Sequence, residues 1–411
     1  MDNGSTSTRG RGARLADVLD THRGGANHSD ALDGLRGFAI AAVFLVHFHP
    51  WVSPFLPRGW VFDLSARLGD MGNIGVDVFF VLSGVLIHGA ILRRPQPFPD
   101  FFRRRLQRLY PTFLVVFVPV LLIELARGAP TLSGGPGPVV NLIGNLTLLA
   151  GFLPIDPLIV VAWTLSWEIV FYVTLPFLFW AGRLRTRSPG VRLAIIGVVW
   201  VGMSVSGALQ SAGNARILLF LCGVAVAEWS AAGRPGRALL PVGAPIAALA
   251  AIGADVWCTF AGHIDAEGIH YPAGTWALWG RLGVYFVALP IVVAGAMEAR
   301  GVVPTALARP LIRRMGDFSY SYYLSHALVI RAIGEIAGRA VDPATHKSGW
   351  WWFVALPPTF AATVVVAVIL FLCVERPCSI SPDPAVTVLP PRIVRWPWQA
   401  PPRSEAGRRT L

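Results

Sequence analysis

The sequence is poor in charge. Only 14% of its 411 residues are Asp, Glu, Lys or Arg, whereas soluble globular proteins carry about 25%. Hydrophobic residues make up 54%, and the mean hydropathy is +0.57. The length suggests two or three water-soluble domains, but so few charged residues cannot provide their polar surface. The high apolar fraction also excludes a disordered chain. The composition therefore predicts an integral membrane protein.

Lysine and cysteine are also scarce. Lys347 is the sole lysine, so arginine supplies nearly all of the 35 cations. The four cysteines form no CxxC pair and no Cys/His ligand spacing, so we predict neither a disulfide framework nor a metal site. The net charge of +12 matters only through where the cations lie. They lie mostly in loops beside apolar segments, and we predict no nucleic-acid partner.

Long apolar segments are abundant. A bilayer core about 30 Å thick needs roughly 20 helical residues. Ten segments qualify: 35–52, 74–92, 109–126, 160–181, 193–210, 215–230, 239–258, 277–297, 318–337 and 351–373. A further stretch, 138–154, is short and contains Asn141 and Asn145, so we expect it to be re-entrant or to lie at the surface. The fold class predicted is all-α, a polytopic transmembrane helix bundle of about ten spans.

Arginine placement predicts the orientation. Sixteen arginines fall in the loops within 93–108, 183–192, 234–237 and 300–314, against at most seven cations in the alternate loops. The positive-inside rule then places both termini in the cytoplasm, in a multi-pass protein of the cell membrane that contacts its lipid. Residues 1–30 and the Pro/Arg-rich residues 378–411 are predicted to be disordered cytoplasmic tails around a membrane domain at 31–377.

The first predicted span carries two ionisable residues, Arg36 and His47. Eleven residues at about 100° each place both on one helix face, about 16–17 Å apart. Histidine can take a proton near neutral pH and arginine binds phosphate or carboxylate, so the pair suits a ligand threaded lengthwise through the bundle. The alternative is that Arg36 snorkels to the interface and His47 caps the outer end.

The second predicted span begins with Asp77 and contains Ser83. Asp77 is a candidate carboxylate partner for His47. Ser83 is a candidate nucleophile, although a buried serine commonly bonds back to its own helix.

A cationic collar precedes the third span, where Arg104, Arg105 and Arg108 lie at i, i+1 and i+4. It can bind the phosphates of a soluble donor, acidic lipid head groups, or nothing specific. Near the chain's other end, Glu375 and Arg376 can pair with each other or with this collar.

Two later spans hold further polar residues. Glu168, with Tyr172 one turn away, must be paired or protonated in an apolar span. It is a candidate for holding an acceptor or moving a proton, or it makes a structural hydrogen bond. Ser319, Tyr323 and His326 share one helical stripe, and His326 is equally explained as a buried, hydrogen-bonded histidine.

Six segments in order resemble those of the acyltransferase 3 family of membrane acyltransferases, over about residues 31–377. They are LDGLRG with a histidine at 47, GVDVFFVLSGVLI, FFRRRLQRLYP, WTLSWEIVFY, GDFSYSYYLSH and VERP. Two positions depart from the family's usual pattern, Ser325 and Trp167, and we expect both to bear on the shape of the acceptor site. The resemblance suggests a stand-alone family member.

The resemblance implies acyl transfer from acyl-CoA, commonly acetyl-CoA, to a hydroxyl of a sugar, glycan, lipid or macrolide. His47 would be the general base, Arg36 would position the donor, and Glu168 would bind or polarise the acceptor. Arg105 and Arg108 would engage CoA phosphates, with Arg104 in the same collar. Ser83, Tyr323 and His326 would belong to the donor site.

Two other function classes stay open from the residues alone. Aligned polar residues across ten spans also suit a transporter or permease for a polar solute, although no repeat between the halves is evident. A non-catalytic membrane scaffold is the third. Within the enzyme hypothesis we favour direct transfer over a covalent acyl-enzyme, because no Cys or Ser adjoins His47 in its helix.

Overall fold

The computed structural model describes residues 30–93, 96–129, 131–134, 136–205, 215–265, 268–271, 276–298 and 300–379. Apart from Asp30 and residues 378–379, the tails predicted to be disordered lie outside these residues.

Helices dominate the described residues, with one two-stranded antiparallel hairpin. In chain order, the first helices are α1 Asp30–Val52, α2 Trp60–Met71, α3 Ile74–Arg93, α4 Phe98–Ala126, α5 Pro138–Leu146, α6 Trp163–Ala181, α7 Pro189–Val205 and α8 Leu219–Ala231. The next elements are α9 Leu240–Ala261, strands β1 His263–Ile264 and β2 Ile269–His270, α10 Trp276–Ala296, α11 Val302–Leu307 and α12 Pro310–Asp317. The last are α13 Ser319–Ala340, α14 Trp350–Leu370, a π-helical turn Phe371–Glu375 and α15 Arg376–Ser379.

Seven helical stretches among the described residues are long and apolar enough to cross a membrane. They are Asp30–Phe55, Trp60–Arg93, Phe98–Ala126, Val160–Ala181, Arg237–Ala261, Trp276–Ala296 and Trp350–Cys378. The all-α membrane bundle is therefore confirmed, but the count of about ten spans is not. Of the other predicted spans, 318–337 forms the long helix α13, whose polar stripe lowers its hydropathy, whereas 215–230 forms only the short α8. The predicted span at 193–210 lies only partly within the described residues, which stop at Val205 and resume at Ala215.

The stretch between the first two predicted spans is largely helical. Helix α2 ends at Met71, and a short turn at Gly72 and Asn73 leads directly into α3. The pair forms a single apolar helical stretch of 34 residues. Asp77 consequently lies well inside that stretch rather than at its start.

Helix α5, within the doubtful segment 138–154, has 9 residues. At 1.5 Å per residue it is about 14 Å long, too short to cross a bilayer core. Its asparagines are buried and bonded to the neighbouring loop: Asn141 Nδ2 donates to the Leu132 carbonyl at 2.7 Å, and Asn145 Nδ2 to the Asp156 carbonyl at 3.1 Å. The polar residues that argued against a span therefore fix a short helix to its connecting loop.

Helices α3 and α8 cross closely at two glycines. A Cβ on Gly84 would lie 2.2 Å from the Phe220 carbonyl oxygen, and one on Gly223 would lie 2.1 Å from the Val81 carbonyl oxygen. Only glycine allows backbones to approach this closely. The crossing sets Phe220 against Phe80, with ring centroids 4.9 Å apart.

A buried ion cluster joins α3, α7 and α8. Glu228 accepts hydrogen bonds from Arg192 Nε at 2.7 Å and Arg192 Nη2 at 2.5 Å, and its Oε1 lies 2.6 Å from His88 Nε2. All three residues are buried. Arg192, which the charge pattern placed in a loop, is thus a buried partner of an acidic residue 36 positions later.

Candidate active site

A cavity in the helix bundle holds about 610 Å³ of atom-free space, including the space at its mouth. Its wall comes from α1, α3, α4, α6, α8 and α13. The polar lining residues are Arg36, Ser83, Arg108, Thr164, Glu168, Ser319, Tyr320 and Tyr323. The apolar ones are Val76, Phe79, Phe80, Leu109, Leu165 and Phe220. Five residues that sequence analysis singled out for the site therefore share one cavity: Arg36, Ser83, Arg108, Glu168 and Tyr323.

Arg36 and Arg108 bring positive charge to this cavity from α1 and α4. Both are half-buried. Arg36 Nη1 lies 3.8 Å from Asp33 Oδ1, one turn earlier on α1. Two cations facing one carboxylate, that of Glu168, leave the lining with a net positive formal charge that suits an anionic ligand.

Glu168 is held from behind by aromatic and cationic groups. Tyr172, one turn along α6, donates a hydrogen bond to Glu168 Oε1. The Arg105 guanidinium lies over the Tyr172 ring at 5.6 Å and over the Phe101 ring at 5.2 Å, within cation–π range. Arg105 therefore supports the wall behind Glu168, whereas Arg108 lines the cavity itself.

Tyr323 forms the cavity wall nearest to the C-terminal half of α1. Its hydroxyl lies 2.8 Å from Thr164 Oγ1 and 3.3 Å from the Val161 carbonyl oxygen, which ties α13 to the start of α6. Its ring packs edge-on against Phe79, with centroids 5.8 Å apart.

The first turn of α13 is fixed by the distant VERP motif. Ser321 donates from its backbone nitrogen at 3.0 Å and from its hydroxyl at 2.5 Å, both to Glu375 Oε2. A carboxylate at a helix N-terminus satisfies backbone N–H groups that lack intrahelical partners. These bonds hold Ser319 and Tyr320 in the cavity wall, and Tyr320 donates to the Leu109 carbonyl at 2.8 Å. Glu375 thus bonds to α13, a partner that sequence analysis did not consider.

His47 does not line the cavity. It is half-buried, and its ring lies 5.0 Å from the His326 ring, centroid to centroid. His326 is three residues beyond Tyr323 on α13, and those two ring centroids are 6.0 Å apart. The two histidines therefore lie about one helical turn past the Tyr323 wall.

Other predicted residues lie apart from the cavity. Arg104 is exposed and donates a hydrogen bond to Gln96. Asp77 does not orient His47, because its Oδ1 accepts from Arg216 Nε at 2.6 Å, in the turn that precedes α8. This ion pair satisfies a carboxylate that would otherwise be buried uncompensated.

The two departures from the family pattern also lie outside the cavity lining. Trp167 is buried against Phe152, with centroids 4.4 Å apart, and the Ser325 hydroxyl donates to the Ser321 carbonyl at 2.8 Å. Both make internal contacts. Their expected effect on the shape of the acceptor site stays a prediction.

Sequence reasoning missed some of the wall. Thr164 and Tyr320 lie inside the quoted motifs, one in WTLSWE and one in GDFSYSYYL, so helical spacing from Glu168 and Tyr323 could have found them. Phe220 had no comparable signal, since it reaches the cavity only through the α3–α8 crossing.

The chain is similar to known proteins over most of its length. The family model described as the acyltransferase domain of acyltransferase 3 proteins matches residues 29–372. The chain belongs to the acyltransferase 3 family. It is therefore an acyltransferase, and its seven long apolar helices make it a multi-pass membrane protein. This assignment favours the enzyme over the transporter and the scaffold.

Several curated proteins are similar to it. The acyltransferase MdmB of Streptomyces mycarofaciens is 26% identical over 404 residues, covering 88% of this chain and 96% of MdmB. The exopolysaccharide production protein ExoZ of Rhizobium meliloti is 29% identical over 67% of this chain and 82% of ExoZ. The O-acetyltransferase OatA of Staphylococcus aureus is 28% identical over 45% of this chain and 31% of OatA. No solved structure is significantly similar.

Proposed function

We propose that this protein transfers an acyl group, most simply acetyl, from acyl-CoA to a hydroxyl of a sugar, glycan, lipid or macrolide acceptor. The observation that carries the proposal is the single cavity in which Arg36, Arg108, Glu168 and Tyr323 meet. Relatives named as an acyltransferase, an O-acetyltransferase and an exopolysaccharide production protein support the reaction and a carbohydrate among the acceptors.

The cationic side of the cavity suits the donor. CoA carries several phosphates, and arginine binds phosphate through paired N–H donors. Arg108 would engage a phosphate, and Arg36 would position the donor so that its thioester lies further along α1, beside Tyr323. Arg105 fixes the wall, and exposed Arg104 would attract the donor from solution. Ser83 and Tyr323 supply hydroxyls beside the bound thioester.

Glu168 suits the acceptor. It is the carboxylate of the cavity lining, and Tyr172 and Arg105 fix its position from behind. A carboxylate accepts hydrogen bonds from sugar or macrolide hydroxyls. The acceptor would thus lie between Glu168 and the Tyr323 wall, near the thioester carbonyl.

The reaction proposed is direct transfer. A neutral His47 removes the proton from the acceptor hydroxyl while that oxygen attacks the thioester carbonyl carbon. The tetrahedral intermediate then collapses, the C–S bond breaks, and His47 returns the proton to the departing CoA thiolate. The products are an ester and free CoA. For this step the acceptor hydroxyl must reach past Tyr323 to His47.

One observation favours a second candidate base. Glu168 lines the cavity, whereas His47 lies beyond its wall. A carboxylate can serve as a general base. The two assignments make different predictions for substitution of His47.

We further propose that both termini face the cytoplasm, so that the arginine side of the cavity opens to cytoplasmic acyl-CoA. The arginine distribution between loops supports this orientation. Membrane lipid would contact the exposed apolar faces of the long helices.

The test is the fate of the acyl group. Protein in liposomes receives radiolabelled acetyl-CoA and a panel of sugars, glycans and macrolides, and covalent label on an acceptor is expected. Arg36→Leu should strongly reduce the label, whereas Arg185→Leu, at an exposed position in the turn between α6 and α7, should not. Label that crosses the membrane unchanged, or an Arg36→Leu variant with normal transfer, would contradict the proposal. Label trapped on the protein without acceptor would contradict direct transfer.

A further inference from the structure

His326 is enclosed on α13. It is fully buried. Its Nδ1 lies 3.0 Å from the Tyr322 carbonyl oxygen, and the Tyr322 ring stacks on it at 5.3 Å with an interplanar angle of 8°. Tyr322 is itself held by a 3.1 Å hydrogen bond from Thr363 on α14. The imidazole is therefore fixed in one orientation.

This environment also fixes the tautomer. A carbonyl oxygen only accepts hydrogen bonds, so Nδ1 carries the hydrogen and Nε2 carries a lone pair. Nε2 is buried, and the described residues offer it no hydrogen-bond partner. A buried acceptor left unpaired is energetically unfavourable, so this nitrogen indicates a donor in its surroundings.

The neighbouring tyrosine does not supply that donor. Thr164 Oγ1 donates to the Val161 carbonyl at 3.0 Å, and Tyr323 then directs its hydroxyl hydrogen to Thr164 or to that carbonyl. The hydrogen of Tyr323 is thus directed to α6, away from His326.

The distance between the His47 and His326 rings fits a hydrogen bond between the two imidazoles. An N–H···N bond of about 2.9 Å, with roughly 1.1 Å from each ring centre to its nitrogen, separates two imidazole centroids by about 5.1 Å. The observed separation is 5.0 Å, with the rings at 66°. This separation is compatible with a hydrogen bond from a His47 N–H to His326 Nε2.

We propose that His326 is a positioning residue for His47: its Nε2 accepts the N–H of one His47 nitrogen and leaves the other nitrogen unprotonated toward the acceptor. This inference rests on the proposed function, in which His47 is the base. When His47 takes the acceptor's proton, the hydrogen bond to His326 stabilises the imidazolium, and His326 stays neutral throughout. In this pair a neutral histidine orients the general base, a role that a carboxylate has in other enzymes.

The experiment is a double-mutant cycle on protein in nanodiscs. His326→Phe keeps the stacking on Tyr322 and removes the acceptor, and should lower kcat about 10- to 100-fold with an unchanged KM for acetyl-CoA. His326→Gln places an oxygen near the former Nε2 and should restore most of kcat, whereas the shorter His326→Asn should not. In a His47→Ala background, His326→Phe should cause no further loss, because the residue acts through His47.

The control is His49→Gln, on the other side of α1, where Nδ1 bonds Ser65 at 2.9 Å; it should keep normal kcat. A normal kcat in folded His326→Phe would overturn the inference, as would an equal loss in the His47→Ala background. If His326→Phe does not fold, the test is the comparison of His326→Gln with His326→Asn. Equal kcat values for these two variants would overturn the inference. Normal turnover by His47→Ala would instead overturn the proposed base.

Discussion

Arg36 and His47 lie eleven residues apart on α1, and each meets a different part of α13. Arg36 shares the cavity with Ser319 at the start of α13, whereas His47 contacts His326 seven residues later. The two helices thus run side by side from the arginine to the histidine, with Tyr323 between the two sites. In the proposed reaction, the thioester and the acceptor hydroxyl meet at this tyrosine.

The first prediction concerns the donor's phosphates. Arg108→Leu should raise KM for acetyl-CoA about 10- to 100-fold, because a charge-assisted hydrogen bond contributes roughly 1.5–3 kcal/mol. The same variant should use acetyl-N-acetylcysteamine, a thioester without phosphates, as well as the wild type does. Exposed Arg104→Leu is the matched control and should change KM much less. An equal loss with both donors would show that Arg108 does not recognise phosphate.

The second prediction concerns the length of the acyl chain. Phe220 and Phe80 form part of the apolar cavity wall. Phe220→Ala removes a ring from this wall, so the ratio of kcat/KM for hexanoyl-CoA to that for acetyl-CoA should rise at least 10-fold. Phe179→Ala, beside His88 and away from the cavity, should leave the ratio unchanged. A constant ratio in the Phe220 variant would place the acyl chain elsewhere.

The third prediction concerns stability. Glu228→Gln leaves the buried Arg192 guanidinium without its carboxylate and should lower the free energy of unfolding by about 3–5 kcal/mol. Thermal unfolding in detergent measures the loss as a lower Tm. The control is Glu335→Gln, which breaks an exposed pair with Arg127 and should cost at most about 1 kcal/mol. Equal Tm values for the two variants would contradict the buried cluster.

The fourth prediction concerns the α3–α8 crossing. Gly223→Ala introduces a methyl group 2.1 Å from a backbone oxygen, so the helices must separate and the yield of folded protein should fall. Gly253→Ala, on α9 with no heavy atom within 4 Å of the new methyl, should be neutral or stabilising by up to about 1 kcal/mol. Size-exclusion profiles of the two variants make the comparison. A normal profile for Gly223→Ala would show that the crossing tolerates separation.

Composition and motif order were enough to predict the helical membrane architecture and the family. Helical spacing also placed Tyr172 one turn from Glu168, because that contact lies within one helix. Contacts between helices could not be predicted. Asp77 is 139 residues from its partner Arg216, and nothing in either local sequence shows that α3 meets the turn before α8.

The length of helices was predicted less well than their presence. Helix α2 is amphipathic and carries Asp63, Arg67 and Asp70, so its charge concealed an extension of the second span. Asp70 accepts hydrogen bonds from Tyr271 at 2.7 Å and Arg281 at 2.8 Å, and these tertiary partners make a charged helix compatible with the bundle. Such compensation appears only in the folded chain.

The most direct test compares His47→Ala with Glu168→Gln in the transfer of radiolabelled acetyl to an acceptor that the wild type modifies. If His47 is the general base, kcat of His47→Ala falls at least about 100-fold, with an unchanged KM for acetyl-CoA and an unchanged Tm. Glu168→Gln should then mainly raise KM for the acceptor. A His47→Ala variant that keeps kcat within threefold of the wild type, while Glu168→Gln loses it, would contradict the account and make Glu168 the base.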